Sequence, residues 1–164
     1  MSRHATADGP AAWRTLGLLA VAVLLGMAPW FAASVVAPDL RARLALTDAR
    51  TAWLTSVVQL GFVAGTAAIA ALRLADRIAP RRLFAVAAVL AAAATAVLLV
   101  DAGYAVVLAS RAVTGFALAG VYPPAMKMAS TWFRTRRGVA IGAVVGALTM
   151  GKAMPWLQHA LPAP

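Results

Sequence analysis

The chain has 164 residues, 63% of them hydrophobic and 12% charged, whereas soluble domains average roughly 45–50% apolar and about a quarter charged; a water-soluble globular domain is excluded. At about 20 residues per crossing, this length admits at most five or six membrane-spanning helices. The formal net charge of +10 comes from 15 Lys and Arg against five Asp and no Glu. These cations fall between apolar runs and not along one groove, which indicates membrane topology and argues against nucleic acid as a partner.

Charges bound five apolar stretches, about 15–38, 51–72, 83–100, 102–126 and 138–160. Each is rich in Ala, Leu and Val and too long for a barrel strand, so the predicted fold class is an all-α membrane protein, a polytopic bundle of five transmembrane helices in the lipid bilayer. Residues 1–14 are expected to form a cytoplasmic N-terminal segment and 161–164 a C-terminal stub. The first stretch follows Arg3 and Arg14 as a secretory signal would, but its 24 charge-free residues exceed the usual core of about 7–15, so it reads as an uncleaved helix. Trp13, Trp30, Trp53, Trp132 and Trp156 fall mostly near predicted helix ends, where interfacial aromatics anchor.

In the second stretch Gly61 and Gly65 form a G-x-x-x-G pair, a spacing that puts small residues on one face and lets helices approach closely. Thr55, Ser56, Gln59 and Thr66 are its polar residues, although Ser and Thr in helices often bond their own backbone carbonyls. The third stretch is charge-free. The fourth holds one charge, Arg111, with Thr114, Gly115 and Tyr122 as companions, and Gly115 and Gly120 followed by Pro123 and Pro124 allow a kink. Gly138, Gly142 and Gly146 repeat every four residues along the fifth, which also carries Lys152. With no acid inside any of the five stretches, Arg111 and Lys152 lack a counter-ion. An anionic solute between them is one reading, and a Lys152 that snorkels outward is the other.

The Lys and Arg counts set the orientation. With the N-terminus cytoplasmic, ten cations fall inside and Arg41, Arg43 and Arg50 alone outside, a positive-inside bias that leaves the C-terminus outside after five crossings and argues against a dual-topology exporter. Enzymatic readings find no footing. His4 and His159 lie at opposite ends of the chain, and with no Cys and no Glu neither a metal site nor a nucleophilic triad can be assembled. No cofactor is expected.

The connection between the second and third stretches reads Leu72-Arg73-Leu74-Ala75-Asp76-Arg77-Ile78-Ala79-Pro80-Arg81-Arg82. A lone acid in a tight basic loop is not required by topology. The placing of Asp76, Arg77, Arg81 and Arg82 resembles the signature loop of the major facilitator superfamily, G-x-x-x-D-[RK]-x-G-x-[RK]-[RK], with Leu72 and Ala79 standing in for the glycines. Leu108, Arg111, Thr114 and Gly115 resemble the family's fourth-helix pattern l-x-x-R-x-x-q-G, with Thr replacing Gln. The run from Trp132 to Gly138 leads into the glycine-rich fifth helix in the family's order.

The resemblance covers residues 15 to 160 and implies a secondary transporter of a small solute, proton-coupled and housed in the cell inner membrane, built from two six-helix halves around a central substrate site. It implies that Asp76 steadies the outward-facing state by contact with the opposite half, with Arg77 and Arg81 as its local ionic partners, and that Arg111 serves proton coupling or substrate handling. Five helices of twelve would be a truncated chain, not expected to transport alone. The alternatives are a split or oligomeric transporter whose second chain supplies the missing helices, and a small scaffold or regulator that binds partner helices. Solute and direction stay open, since Gly142, Gly146 and Gly151 do not complete the exporter signature, which also needs a Gly-Pro step.

Overall fold

The computed structural model describes residues 9–133 and 136–160, with side chains except at 147, 148 and 151–160. Helix α1 (Pro10–Val35) starts where Gly9 accepts the N–H groups of Ala12 and Trp13 and Pro10 supplies a φ already suited to a first turn. It therefore begins five residues before the expected span and takes in Trp13 and Arg14, since a helix can continue past the apolar stretch that first marks it. Pro29 sits inside it, so the carbonyl of Leu25 loses its usual N–H partner. At Val36 the chain bends into α2 (Ala37–Leu44), whose Asp39 in the first turn and Arg41 and Arg43 in the last match the helix dipole.

Thr47 caps α3 (Asp48–Ala71), its hydroxyl accepting from the Arg50 N–H. A short α4 (Leu74–Arg77) leads to α5 (Pro80–Ala96), which tightens into a 3₁₀ turn at Val97–Leu99. The fourth predicted span is two helices, α6 (Tyr104–Leu118) and α7 (Tyr122–Trp132). The break at residues 119–121 lies where Pro123 and Pro124 have no N–H to return to the carbonyls of Ala119 and Gly120. α7 runs six residues past the expected end at 126, carrying Lys127 on an exposed face. α8 (Arg137–Ala160) follows.

Among the described residues four segments are long and apolar enough to cross a membrane: Pro10–Val35, Asp48–Ala71, Pro80–Leu99 and Tyr104–Trp132. α8 adds a fifth long helix of 24 residues. The chain is an all-α, polytopic membrane protein, and the described residues contain no strand.

Two cores hold the bundle. The larger joins Leu16, Val23 and Met27 of α1 to Leu118, Val121, Phe133 and Val144, so α1 stands at the centre with α8 along its side. A smaller one, with Leu40, Leu46, Leu54, Leu98 and Val107, closes the end around α2. At that end the cations are internally engaged: Arg41 pairs with Asp48, Arg43 donates to the Leu98 carbonyl at 3.2 Å, and Arg50 lies over the Tyr104 ring. The opposite, basic end is latched differently. Trp13 meets the buried Phe133 edge-on at 5.2 Å, Arg136 lies over the Trp13 ring, and Arg137 Nε donates to the Phe133 carbonyl at 3.0 Å.

Two turns carry strain. Ala45 and Arg73 adopt φ of 47° and 52°, left-handed conformations that disfavour a Cβ by about 1–2 kcal/mol. Ala45→Gly and Arg73→Gly should each raise stability by about 0.5–1 kcal/mol once glycine's greater unfolded-state freedom is subtracted. Denaturant midpoints in detergent micelles measure this, and a drop in either midpoint would contradict it.

Candidate functional site

One face of α6, comprising Val107, Ser110, Arg111, Thr114, Gly115 and Leu118, is buried. Arg111 on that face has no solvent exposure at all. Its guanidinium forks onto α1, with Nη1 donating to the Pro29 carbonyl at 2.9 Å and Nη2 to the Trp30 carbonyl at 3.0 Å, while the buried Nε has no partner. These carbonyls lie between one and two turns before the C-terminal end of α1. A planar guanidinium can reach two successive carbonyls where a single ammonium could not. Next to it, the Thr114 hydroxyl donates to the Ser110 carbonyl at 2.8 Å. That commits its proton, so Thr95, 3.3 Å away, is the donor in the Thr95–Thr114 contact.

The helices around Arg111 are held by glycine. A methyl group built on Gly61 would overlap the Ala112 carbonyl oxygen, one on Gly65 the Phe116 carbonyl oxygen, and one on Gly115 the Val58 carbonyl oxygen. α3 and α6 therefore meet backbone to backbone, in parallel register. Around Gly138, Gly142 and Gly146 an added Cβ would meet nothing within 4 Å, so this part of α8 is open.

The other sequence candidates do not gather at Arg111. Gln59 is exposed on α3. Ser56 and Thr66 turn their hydroxyls back to the carbonyls of Ala52 and Phe62. Thr55 lines a separate pocket of about 380 Å³ beside Ser34 and the Arg41–Asp48 pair. Tyr122 opens α7, half-buried against the main core. Lys152 lies outside the residues whose side chains are described, so its relation to Arg111 is not addressed.

In the signature loop Asp76 is exposed and, among the described residues, makes no ion pair within 4 Å with Arg77, Arg81 or Arg82. The local ionic partnership expected from sequence is thus not formed, in keeping with the small gain such exposed pairs offer. The loop is instead held from α7, where Lys127 Nζ donates to the Ala75 carbonyl at 3.1 Å.

Sequence reasoning missed the acceptors of Arg111, because backbone carbonyls leave no mark in residue identity. Pro29 was the available signal, a helix-interrupting residue within an apolar span. Thr95 and Phe133 carried none beyond their polarity and size.

Fold and site together define a multi-pass membrane protein with a buried cation clamped between two of its spanning helices. Residues 18–155 match the family model described as Major Facilitator Superfamily. The chain belongs to that superfamily, and it is a transporter of the major facilitator type. No curated protein and no solved structure matches it.

Proposed function

We propose that these helices form the first part of the N-terminal half of a secondary transporter that moves a small anionic solute by alternating access. The observation that supports this reading is Arg111, an intramembrane cation that, among the described residues, is balanced only by α1 carbonyl dipoles; such residues mark solute or ion pathways by default. An anion that offered better acceptors would draw the guanidinium from Pro29 and Trp30 and free α1 to move. Proton coupling remains part of the proposal, with one constraint. Asp48 stands at the first residue of α3 and no Asp or Glu lies deeper in the five spans, so the proposal assigns a proton-carrying carboxylate to helices beyond them. The open glycine face of α8 favours the seating of such helices, from this chain or another.

Stabilisation by a panel of carboxylate, phosphate and sulfonate solutes tests the site. At least one should raise the unfolding midpoint of the native chain and leave Arg111→Leu unmoved. If no anion acts, or if the variant responds equally, the anionic reading fails. For the proposed orientation, with the N-terminus cytoplasmic in the inner membrane, alkaline phosphatase fused after Pro164 should be active and after Arg82 inactive; the reverse pattern overturns it.

A further inference from the structure

At the basic end a cavity of about 230 Å³ opens between α3, α5 and α7. Its walls are Ile69, Pro80, Leu83, Pro123 and Pro124, and Lys127 stands at its rim. The volume equals roughly eight water molecules, but water needs two to four polar partners and these walls offer almost none. An apolar occupant fits better. Lys127 is the one charged residue among those that line the cavity, and two others, Ala75 and Pro80, belong to or border the basic loop. The adjoining loop carries Arg73, Arg77, Arg81 and Arg82, none paired within 4 Å with its single acid, Asp76. Lys127 uses one of its three ammonium hydrogens on the Ala75 carbonyl and keeps two.

An apolar slot lined by one lysine and adjoined by a loop with four arginines has the two-part chemistry of an anionic lipid. We propose that this cavity binds one anionic phospholipid, the upper acyl chain lying against Ile69, Leu83 and the two prolines and the phosphate accepting from Lys127 and the loop arginines. The site is separate from Arg111 and does not depend on which solute is carried. It also accounts for the position of Lys127, whose hold on Ala75 places a donor beside the slot. The charge excess supports a lipid of net negative charge over a zwitterionic one, because basic segments at a membrane surface gain about 1 kcal/mol per cation from anionic lipid.

The test uses the purified full chain in micelles containing equal amounts of dioleoyl phosphatidylglycerol and dioleoyl phosphatidylcholine, with co-purifying lipid counted by mass spectrometry. Circular dichroism confirms that each variant is folded. Phosphatidylglycerol should be retained in preference. Lys127→Gln should lower its retention about fivefold, and Leu83→Trp or Ile69→Phe, which fill the slot without changing charge, should lower it comparably. Arg14→Gln, a cation removed elsewhere at the same end, should leave it unchanged. Equal retention of the two lipids overturns the proposal. So does an equal loss in Arg14→Gln, which would mean diffuse attraction, and so does displacement by millimolar inorganic phosphate, which would mean a small-anion site.

Discussion

Gly115→Ala should lower the stability of the bundle by about 3 kcal/mol, the upper part of the range for overpacked interiors, and Gly61→Ala should behave similarly. The added methyl in each case meets a backbone carbonyl on the facing helix, which cannot rotate aside as a side chain would. α3 and α6 must separate, and they lose the dispersion and the weak Cα–H···O contacts that close approach provides in lipid. Gly142→Ala is the control. Nothing stands within 4 Å of its added Cβ, so it should be neutral or gain up to about 1 kcal/mol from helix propensity. Midpoints of detergent-driven unfolding give the comparison. A Gly115→Ala chain as stable as Gly142→Ala would show that α3 and α6 do not touch at these residues.

The second large effect concerns Arg111, where the substitution that keeps the charge should be the more damaging one. Two charge-assisted hydrogen bonds contribute about 1.5–3 kcal/mol each, and a cation deep in a spanning helix costs about 2.5–3.5 kcal/mol. Arg111→Leu removes both terms, bonds of about 3–6 kcal/mol together against the cost of about 2.5–3.5, and should lower stability by only about 1.5 kcal/mol. Arg111→Lys keeps the cost of the charge but cannot fork onto Pro29 and Trp30, and it should lose about 2 kcal/mol. Under the proposed role both variants lose the stabilisation by anions, so fold and function separate in Arg111→Leu. If Arg111→Leu unfolds the bundle while Arg111→Lys does not, the residue is a strut held by charge.

Much of the fold is legible in the sequence because lipid imposes a simple condition on it: a spanning helix needs about 20 apolar residues, and the cations gather between spans. Four of the expected stretches lie within a few residues, at most ends, of the segments long and apolar enough to cross a membrane. That condition overlooked the extension of α1 back to Pro10 and of α7 on to Trp132, where amphipathic turns carry Arg14 and Lys127 beyond the apolar core. It also gave no indication of α2, whose eight residues look like an ordinary polar loop. The same limits apply at the site. Arg111 announced itself as a charge inside a span, whereas its partners are main-chain atoms of Pro29 and Trp30. Asp76 and Arg77 were adjacent in sequence, yet adjacency does not bring exposed side chains into contact, and the structure ties the loop through Lys127 to Ala75 instead.

The packing of α8 along α1 has a consequence for how the protein is made. Leu16 and Val23 of α1 find Val144 of α8 within one core, but everything from Val35 to Arg137 must be synthesised before α8 begins. At about 5–20 residues per second this takes roughly 5 to 20 s. For that interval α1 can pack on α3, α5, α6 and α7, but the side that α8 will cover stays bare. The first helix to enter the membrane is thus among the last to be fully enclosed, and a nascent chain arrested before Arg137 should leave the α8-facing side of α1 open to lipid or to insertion factors.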